Sequence, residues 1–173
     1  MASKKVGVLN RSKRYFTSGQ RLVLYKAQVR PHVEYCSHLW AGAPKYQLDP
    51  LDSLQRRAVR IIDDPNLTEK LEPLGQRRDF GSLCVFYRLF HGECSEELFD
   101  LVPSSPFYHR TTRRRSKVHP YYMEAITSST VRFQRSFLPR TCRLWNELPA
   151  ATFPERYNMS FFKRGLKRAL FSR

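Results

Sequence analysis

Two adjacent aspartates give the sequence its most suggestive chemistry. Asp63 and Asp64 follow an apolar pair, Ile61-Ile62. Neighbouring carboxylates in this arrangement can hold two magnesium ions for phosphoryl transfer when a tight hairpin presents them. Here the pair ends a predicted basic helix, Pro65 follows it, and no strand pattern flanks it. We therefore interpret Asp63 and Asp64 as helix-end residues that begin a turn.

Cysteine and histidine spacing is the second place to look for a site. Cys84, His91 and Cys94 follow a C-x6-H-x2-C pattern, which lacks the close cysteine pair of a zinc site. Cys84 also falls on the apolar face of a predicted helix, so buried thiols are the better interpretation. The sequence has no HExxH, H-x3-H or CxxC pattern and no nucleophile motif. It therefore predicts no metal, no cofactor and no catalytic residue.

Positive charge is the strongest compositional signal. The 173 residues include 31 Lys and Arg against 15 Asp and Glu, a formal charge of +16 at pH 7. Residues 1–30 and 101–146 hold most of the excess, and residues 31–100 are mildly acidic. Such an excess favours a polyanionic partner through counterion release, with nucleic acid first and an anionic membrane surface second. Because apolar runs are short and the N-terminus is basic, we expect an intracellular protein without a transmembrane span or secretory signal.

The first predicted helix begins at a capping box, Thr17-Ser18-Gly19-Gln20. Its apolar stripe keeps one phase through Pro31, which predicts a kink near residues 27–30, with a break into two helices as the alternative, and an end at Gly42 and Pro44. The stripe consists of Leu22, Tyr25, Val29, Val33, Cys36 and Trp40. His32 and His38 flank this stripe without metal-ligand spacing, so we interpret the segment as a core helix.

Three further helices are predicted before residue 103. Asp49-Pro50 has the form of a helix start, with Leu51, Leu54, Ala58 and Ile61 facing inward. A third helix has one face formed by Phe80, Leu83, Cys84, Tyr87 and Phe90, and it ends at Gly92. A short fourth helix, 96–102, follows Ser95.

The second half of the chain differs in composition. Residues 103–128 are rich in Pro, Ser and Arg, which predicts a basic linker. Beyond it we expect a short strand at 129–133, a helix opening at Leu138-Pro139 and a final helix at 158–170. The predicted division is a basic lead-in at 1–16, a helical domain at 17–102, the linker at 103–128 and a C-terminal helical region at 129–173.

The basic linker interleaves arginines with aromatic residues, an arrangement that suits phosphate contacts and base stacking. Arg113, Arg114 and Arg115 lie between Tyr108 and Tyr121. Two other readings of this run stay open, a nuclear-import sequence and a solvated linker. The last helix turns Lys163, Arg164, Lys167 and Arg168 outward, so for it a membrane-surface element also stays open.

Four stretches of the chain carry recognisable landmarks. They are LNRSKRYFTSGQRLVLYKAQVRPHVEYCSHLWAG, LDSLQRRAVRIIDD, LEPLGQRRDFGSLCVFYRLFHGECSEELFDL and TVRFQRSFLPRTCRLWNELPAATFPERYNMSFFKRGLKRAL. The landmarks within them are Arg30-Pro31 with Glu34, Tyr35 and Trp40; Leu51, Leu54, Gln55, Arg56 and Arg57; Arg77-Arg78; and Trp-Asn-Glu-Leu-Pro at 145–149. In order and spacing they resemble the region after the polymerase palm in reverse transcriptases of jockey-like non-LTR (LINE-type) retrotransposons.

This resemblance implies a helical thumb, which in polymerases grips the template-primer duplex, followed by a basic C-terminal region. In the family an endonuclease, the fingers and the palm precede this segment, and the palm carries the magnesium-binding aspartates. The first thumb-like helix begins shortly after Met1, so we expect the chain to lack the palm and to have no polymerase activity by itself. The expected fold class is mainly α: a thumb-like bundle of three to four helices, a basic loop and a smaller, mostly helical C-terminal region.

The expected function is nucleic-acid binding by a non-catalytic fragment of this RNA-directed DNA polymerase family. The expected partners are RNA, an RNA/DNA hybrid or duplex DNA, together with a full-length reverse transcriptase, inside the cell and including the nucleus. The alternative is a folded relic or protein-interaction module that packs against a missing palm. The residues expected to contact the nucleic-acid backbone are Arg56, Arg57, Arg60, Arg77, Arg78, Arg113, Arg114 and Arg115.

Overall fold

The computed structural model describes residues 1–100, 121–124, 126–127 and 129–171, apart from the side chains of Leu98 and Phe99. The chain is mainly helical, as the sequence predicts. The helices are α1 (Ala2–Arg11), α2 (Ser18–Leu24), α3 (Arg30–Glu34), α4 (Ser37–Trp40), α5 (Lys45–Ile62), α6 (Pro65–Thr68), α7 (Leu74–Phe90), α8 (Glu96–Phe99), α9 (Val131–Gln134), α10 (Phe137–Asn146) and α11 (Met159–Phe171).

The chain forms two compact units. The first unit comprises Met1–Ser37 and Ala43–Arg78, and the second comprises His38–Gly42 and Asp79–Arg173. The boundary thus falls within α7, whereas the predicted division placed it at residue 102. A short early segment, His38–Gly42, also belongs to the second unit. Sequence composition could not reveal this division, because it depends on which residues pack together.

The predicted capping box at the start of α2 is confirmed. The Thr17 hydroxyl accepts a hydrogen bond from the Gln20 amide at 3.4 Å, and the Gln20 side chain accepts one from the Thr17 amide at 3.0 Å. These two bonds satisfy donors that have no partner within the helix.

The predicted distortion before Pro31 is a π-helical turn at Tyr25–Val29, in which the Arg30 amide donates to the carbonyl of Tyr25. Proline has no N–H and its ring crowds the preceding turn, so a wider turn relieves both problems.

The prediction that this helix continues to Trp40 is wrong. The helix ends at Glu34, and Cys36 adopts a left-handed conformation with φ 47° before the separate α4 begins. Tyr25, Val29 and Val33 are buried as expected. Cys36 and Trp40 are only half-buried and lie beyond the break. The apolar periodicity continues past Glu34, so it could not reveal where the backbone stops being helical.

The first unit has a core built by α1, α5 and the π-helical turn. It contains Val6, Leu9, Tyr25, Val29, Ala58, Ile61 and Ile62. Leu54 packs against this cluster, as its position in the predicted stripe indicates. Arg21 is buried at the end of α5, where it donates to the Ile61 carbonyl at 2.7 Å and the Ser18 hydroxyl at 2.8 Å. A cation at this helix end also complements the helix dipole.

The predicted start of α5 at Asp49-Pro50 is wrong. The helix begins at Lys45, directly after Pro44, and Pro50 lies inside it. Because Pro50 is in the second turn, it removes only one backbone hydrogen bond near the helix start, a cost that the long apolar face of α5 offsets.

Aromatic rings dominate the core of the second unit. Trp145 is fully buried. The ring centroids of Phe86, Phe90 and Phe153 lie within 5.2 Å of the Trp145 ring centroid. The predicted inner face of α7 is confirmed for Leu83 and Tyr87, which are buried; Phe80, Cys84 and Phe90 are partly buried against the same core. The positive φ of Gly92, 71°, ends this segment as the sequence predicts.

The described part of the predicted linker is fixed to the core of the second unit. Met123 is buried, its amide donates to Asn146 Oδ1 at 3.0 Å, and Asn146 Nδ2 donates back to its carbonyl at 2.8 Å. The Tyr121 carbonyl accepts a hydrogen bond from Trp145 Nε1 at 2.7 Å. A short segment without helix or strand has no periodicity, so only these distant partners reveal that it is fixed to the core. The rest of the predicted linker, 103–120, lies outside the described residues.

The strand predicted at 129–133 is also wrong. Residues Val131–Gln134 form the short helix α9, and the Thr130 hydroxyl accepts from the Phe133 amide at 3.4 Å. The predicted helix at Leu138-Pro139 is confirmed as α10, in which Pro139 lies in the first turn, where a missing N–H costs little.

Two glycines mark close backbone approaches in the second unit. A Cβ built at Gly165 on α11 would lie 2.9 Å from the Thr152 Cα, and one at Gly42 would lie 1.7 Å from the Arg135 carbonyl oxygen. A side chain at either position would therefore require the backbone to move.

Candidate nucleic-acid interface

The outer face of α5 presents three of the predicted arginines. Arg56, Arg57 and Arg60 are exposed and lie within one turn of each other, opposite Ala58, Ile61 and Ile62, which are buried in the core. None of the three forms a salt bridge with another described residue. Because α5 is anchored by its inner face, it holds these guanidinium groups toward solvent, where they can contact phosphates.

Arg77 has a different environment. Its guanidinium forms a two-bond contact with the Glu34 carboxylate and lies 3.3 Å from Glu72 Oε2. The hydrogen bonds to Glu34 raise the pKa of Arg77 above its ordinary value, although burial opposes this. The Glu34 carboxylate also contacts Arg30, whose Nε lies 3.5 Å from Glu34 Oε1. Arg77 therefore stabilises α3 against the start of α7.

Arg78 is still less accessible, with 5% of its surface exposed. It donates to both carboxylate oxygens of Asp52 on α5, at 2.8 and 3.3 Å. Such a paired, nearly buried guanidinium cannot reach a phosphate without breaking the pair. Of the five arginines predicted in the helical half, the structure thus brings together Arg56, Arg57 and Arg60. Arg113, Arg114 and Arg115 lie outside the described residues.

Asp63 and Asp64 occupy the turn after α5, as the sequence interpretation states. Asp63 ends the helix with φ 58°, and its carboxylate lies 3.0 Å from Lys13 Nζ. This hydrogen bond lowers the pKa of Asp63. The Asp64 carboxylate accepts from the Leu67 amide at 3.2 Å and so caps α6. Both carboxylates thus have structural partners, and the residues of the described ranges include no group of three or more possible metal ligands.

The cysteines and the histidine of the C-x6-H-x2-C segment lie against the aromatic core. Burial raises the pKa of the Cys84 thiol to about 11, so the thiol is protonated at neutral pH. His91 packs edge-on against the Tyr87 ring at 4.5 Å, and burial lowers its pKa. These environments agree with the interpretation of the segment as core.

A second cationic face lies on α11 and was not among the predicted contact residues. Lys163, Arg164, Lys167 and Arg168 are all exposed, while Phe162 and Leu166 on the opposite face of the helix are fully buried. The outward positions could be inferred from helical periodicity. The sequence did not reveal which contacts fix the exposed aromatic rings close to α11 in sequence.

Three comparisons with known proteins bear on this geometry. Neither the family models, the curated proteins nor the solved structures contain a match to the chain. Among the helices of the described residues, none is both long enough and apolar enough to cross a membrane.

Proposed function

We propose that this chain binds nucleic acid through the outer face of α5, with Arg56, Arg57 and Arg60 contacting backbone phosphates. The observation that carries the proposal is the arrangement of these three exposed arginines on one rigid helix, without ion-pair partners among the described residues. Contacts of this kind position a duplex without reading its sequence. The resemblance to the post-palm region of a LINE-type reverse transcriptase supports the same role.

The charge of the first unit supports this proposal too. Its residues include fifteen Lys and Arg against seven Asp and Glu, a net charge of +8. Within this unit Glu34, Glu72 and Asp52 are engaged by Arg77 and Arg78. These acids are therefore already neutralised by the fold, and they do not offset the α5 arginines.

The test compares a triple variant, Arg56→Gln, Arg57→Gln and Arg60→Gln, with a control in which Lys4, Lys26 and Lys70 are changed to Gln. All six side chains are exposed and both variants lose the same charge. Fluorescence anisotropy would measure affinity for duplex DNA and an RNA/DNA hybrid over a range of salt concentrations. We expect the α5 variant to lower the slope of log K against log salt by about 2 to 3, since each phosphate contact contributes roughly 0.9. Equal losses in the two variants would contradict the proposed site, because net charge alone would then explain the binding.

We further propose that the chain does not polymerise nucleotides by itself. The structural partners of Asp63 and Asp64 support this, since one carboxylate binds Lys13 and the other caps α6. A primer-extension assay with magnesium should give no product with the wild type or with Asp63→Ala. Extension that disappears in Asp63→Ala would refute the proposal.

A protein-interaction role is the second candidate, and exposed apolar side chains in the first unit favour it. Tyr15, Val23, Tyr35 and Tyr46 each expose well over half of their surface. Under this alternative they would contact a polymerase palm or another copy of the chain. Sedimentation velocity over a range of protein concentrations tests the interaction role. A monomer at all concentrations counts against self-association. Complex formation with an added full-length reverse transcriptase supports the interaction role.

A further inference from the structure

A stack of aromatic rings leads from the core of the second unit to its surface, just before α11. Tyr87 is fully buried and lies parallel to Phe162, with ring centroids 4.0 Å apart and 12° between the planes. Tyr157 is parallel to Tyr87 as well, at 5.3 Å and 15°, and 40% of its surface is exposed. The Tyr87 hydroxyl accepts a hydrogen bond from the Asn158 amide at 2.9 Å, which fixes the backbone next to Tyr157. The outer ring of the stack is therefore held rigidly, and part of it faces solvent.

A second exposed aromatic ring follows within one turn. Phe161 is also 40% exposed, and the Arg164 guanidinium lies over its ring, 5.9 Å from the centroid. Asn158 Oδ1 accepts from the Phe161 amide at 2.9 Å and so caps the helix at this point. Phe161 thus stands at the start of the same outward surface that carries the four cations.

The cations of α11 form two short rows. Lys163 and Lys167 make one row, and Arg164 and Arg168 make the other; within each row the residues are four apart, or about 6 Å along the helix axis. None of the four forms a salt bridge with another described residue. Gly165 lies against Thr152 on the inner side, which brings the helix backbone close to the rest of the unit.

The buried side of α11 decides between the two polyanions that such a face could bind. An interfacial helix binds a membrane by inserting its apolar face among the lipids. Here Phe162 and Leu166 are already fully buried in the protein core, so that face is occupied. What remains outside is four cations, the partly exposed Phe161 ring on the same helix and the partly exposed Tyr157 ring two residues before the helix begins. Cations and exposed rings together can bind the backbone and stack with the bases of a single strand.

We propose that the surface formed by Tyr157, Phe161, Lys163, Arg164, Lys167 and Arg168 is a binding site for single-stranded nucleic acid. Bases stack on Tyr157 and Phe161, and the four cations bind consecutive phosphates. A duplex keeps its bases stacked on each other and cannot use the two rings, so this site prefers a single strand. These residues belong to the second unit, whereas the α5 arginines belong to the first.

The first test changes the rings in the full-length chain. Phe161→Ala and Tyr157→Leu are compared with Phe133→Ala, a matched control because Phe133 is a similarly exposed ring of the same unit. Anisotropy would measure binding to oligo-dT and to a duplex of equal length. We expect Phe161→Ala to weaken oligo-dT binding roughly 5- to 100-fold and to leave duplex binding, which the α5 arginines can support, unchanged. Equal behaviour of Phe161→Ala and Phe133→Ala, or an equal loss of oligo-dT and duplex binding in Phe161→Ala, would overturn the proposal.

The second test neutralises the cations. A variant with Lys163, Arg164, Lys167 and Arg168 changed to Gln is compared with one in which Arg88, Arg132, Arg135 and Arg143 are changed, all of them exposed residues of the same unit. The α11 variant should lower the salt slope for oligo-dT by up to about 3, since each contact with a single strand contributes roughly 0.7. Loss of binding to phosphatidylserine vesicles, with oligo-dT binding intact, would refute the proposal. The α5 triple variant is measured with the same ligands. If only one of the two variants loses affinity, the comparison shows which of the two proposed sites is wrong.

Discussion

Arginines that look alike in the sequence have opposite roles in the structure. Arg56-Arg57 and Arg77-Arg78 each follow a glutamine, and local sequence does not distinguish them. The first pair points to solvent, whereas the second pair binds Glu34, Glu72 and Asp52. These carboxylates come from residues up to 43 positions away in sequence. Only the fold, which brings the carboxylates to α7, separates the exposed arginines from those held in ion pairs.

We predict that this difference is measurable at single residues. Arg78→Met should lower the free energy of unfolding by about 3 kcal/mol, because it leaves the Asp52 carboxylate without its nearly buried partner. Arg57→Met should change it by less than about 0.5 kcal/mol, as for most exposed substitutions. Urea denaturation followed by circular dichroism would measure both. A loss in Arg78→Met as small as that expected for Arg57→Met would mean that the Arg78 pair contributes little to stability.

Tyr25 should make stability depend on pH in the alkaline range. Burial, reinforced by the nearby Glu34 carboxylate, raises its pKa from 10.0 to about 12. The folded state thus holds the phenol proton more tightly than the unfolded state, so this contribution is complete below pH 10 and is lost as pH rises toward 12. Tyr25→Phe should flatten that fall. It should also lower stability near neutral pH, because the hydroxyl bonds Gln55 Oε1 at 3.2 Å.

The control for this experiment is Tyr46→Phe, which changes an exposed hydroxyl on α5. It should leave the pH profile of the unfolding midpoint as in the wild type. An alkaline slope that is the same in Tyr25→Phe and the wild type would show that Tyr25 is not responsible for it.

Among the elements, features that depend on near neighbours in the sequence were predicted better than features that do not. The capping box at Thr17 and the inner face of α7 were predicted because each depends on neighbours within a turn or two. The start of α5 was missed because Pro44 and Pro50 both permit a helix start, and the local sequence does not choose between them. The helix at 131–134 was missed because β-branched and aromatic residues in a short run favour a strand until the Thr130 cap is considered.

For the candidate sites, too, features set by near neighbours in the sequence were predicted and features set by distant contacts were not. Exposure of Arg56, Arg60 and the α11 cations follows from helical periodicity, since the opposite faces are apolar. The engagement of Arg77 and Arg78 and the pairing of Met123 with Asn146 depend on contacts across long sequence separations. Periodicity carries no information about such contacts.

Two glycines in helices should respond in opposite ways to alanine. Gly7→Ala in α1 should stabilise the protein by up to about 1 kcal/mol, since alanine is the better helix former and the nearest atom is the end of the flexible Arg11 side chain, 3.7 Å away. Gly165→Ala in α11 should destabilise it by about 1 to 3 kcal/mol, because the added Cβ meets the Thr152 backbone. Thermal denaturation of the two variants would measure both signs. Stabilisation by Gly165→Ala would show that α11 can move away from Thr152.

For the whole molecule, charge should make salt act in opposite directions on folding and on binding. Each unit has a net charge of +8, and such an excess destabilises a compact state through self-repulsion. Added sodium chloride screens this repulsion, and the nearly buried Arg78–Asp52 pair is screened much less. We therefore expect the melting temperature to rise with salt over the range in which nucleic-acid affinity falls.

The variant with four neutralised cations on α11 provides the control. It removes a quarter of the net charge, so its melting temperature in low salt should be higher than that of the wild type and should rise less on adding salt. A wild-type melting temperature that falls with salt would mean that exposed ion pairs outweigh the repulsion.

The early segment His38–Gly42 affects the order in which the protein can fold during synthesis. The first unit surrounds this segment in sequence, yet the segment packs in the second unit, where the His38 ring meets Phe137 at 5.5 Å. On the ribosome, its partners emerge only after about a hundred further residues have been added, at ~5–20 residues per second. The first unit can close once the start of α7 has emerged, but the half-buried Trp40 has to wait until the second unit forms. A nascent chain stalled between these points should therefore expose a small apolar site for chaperones.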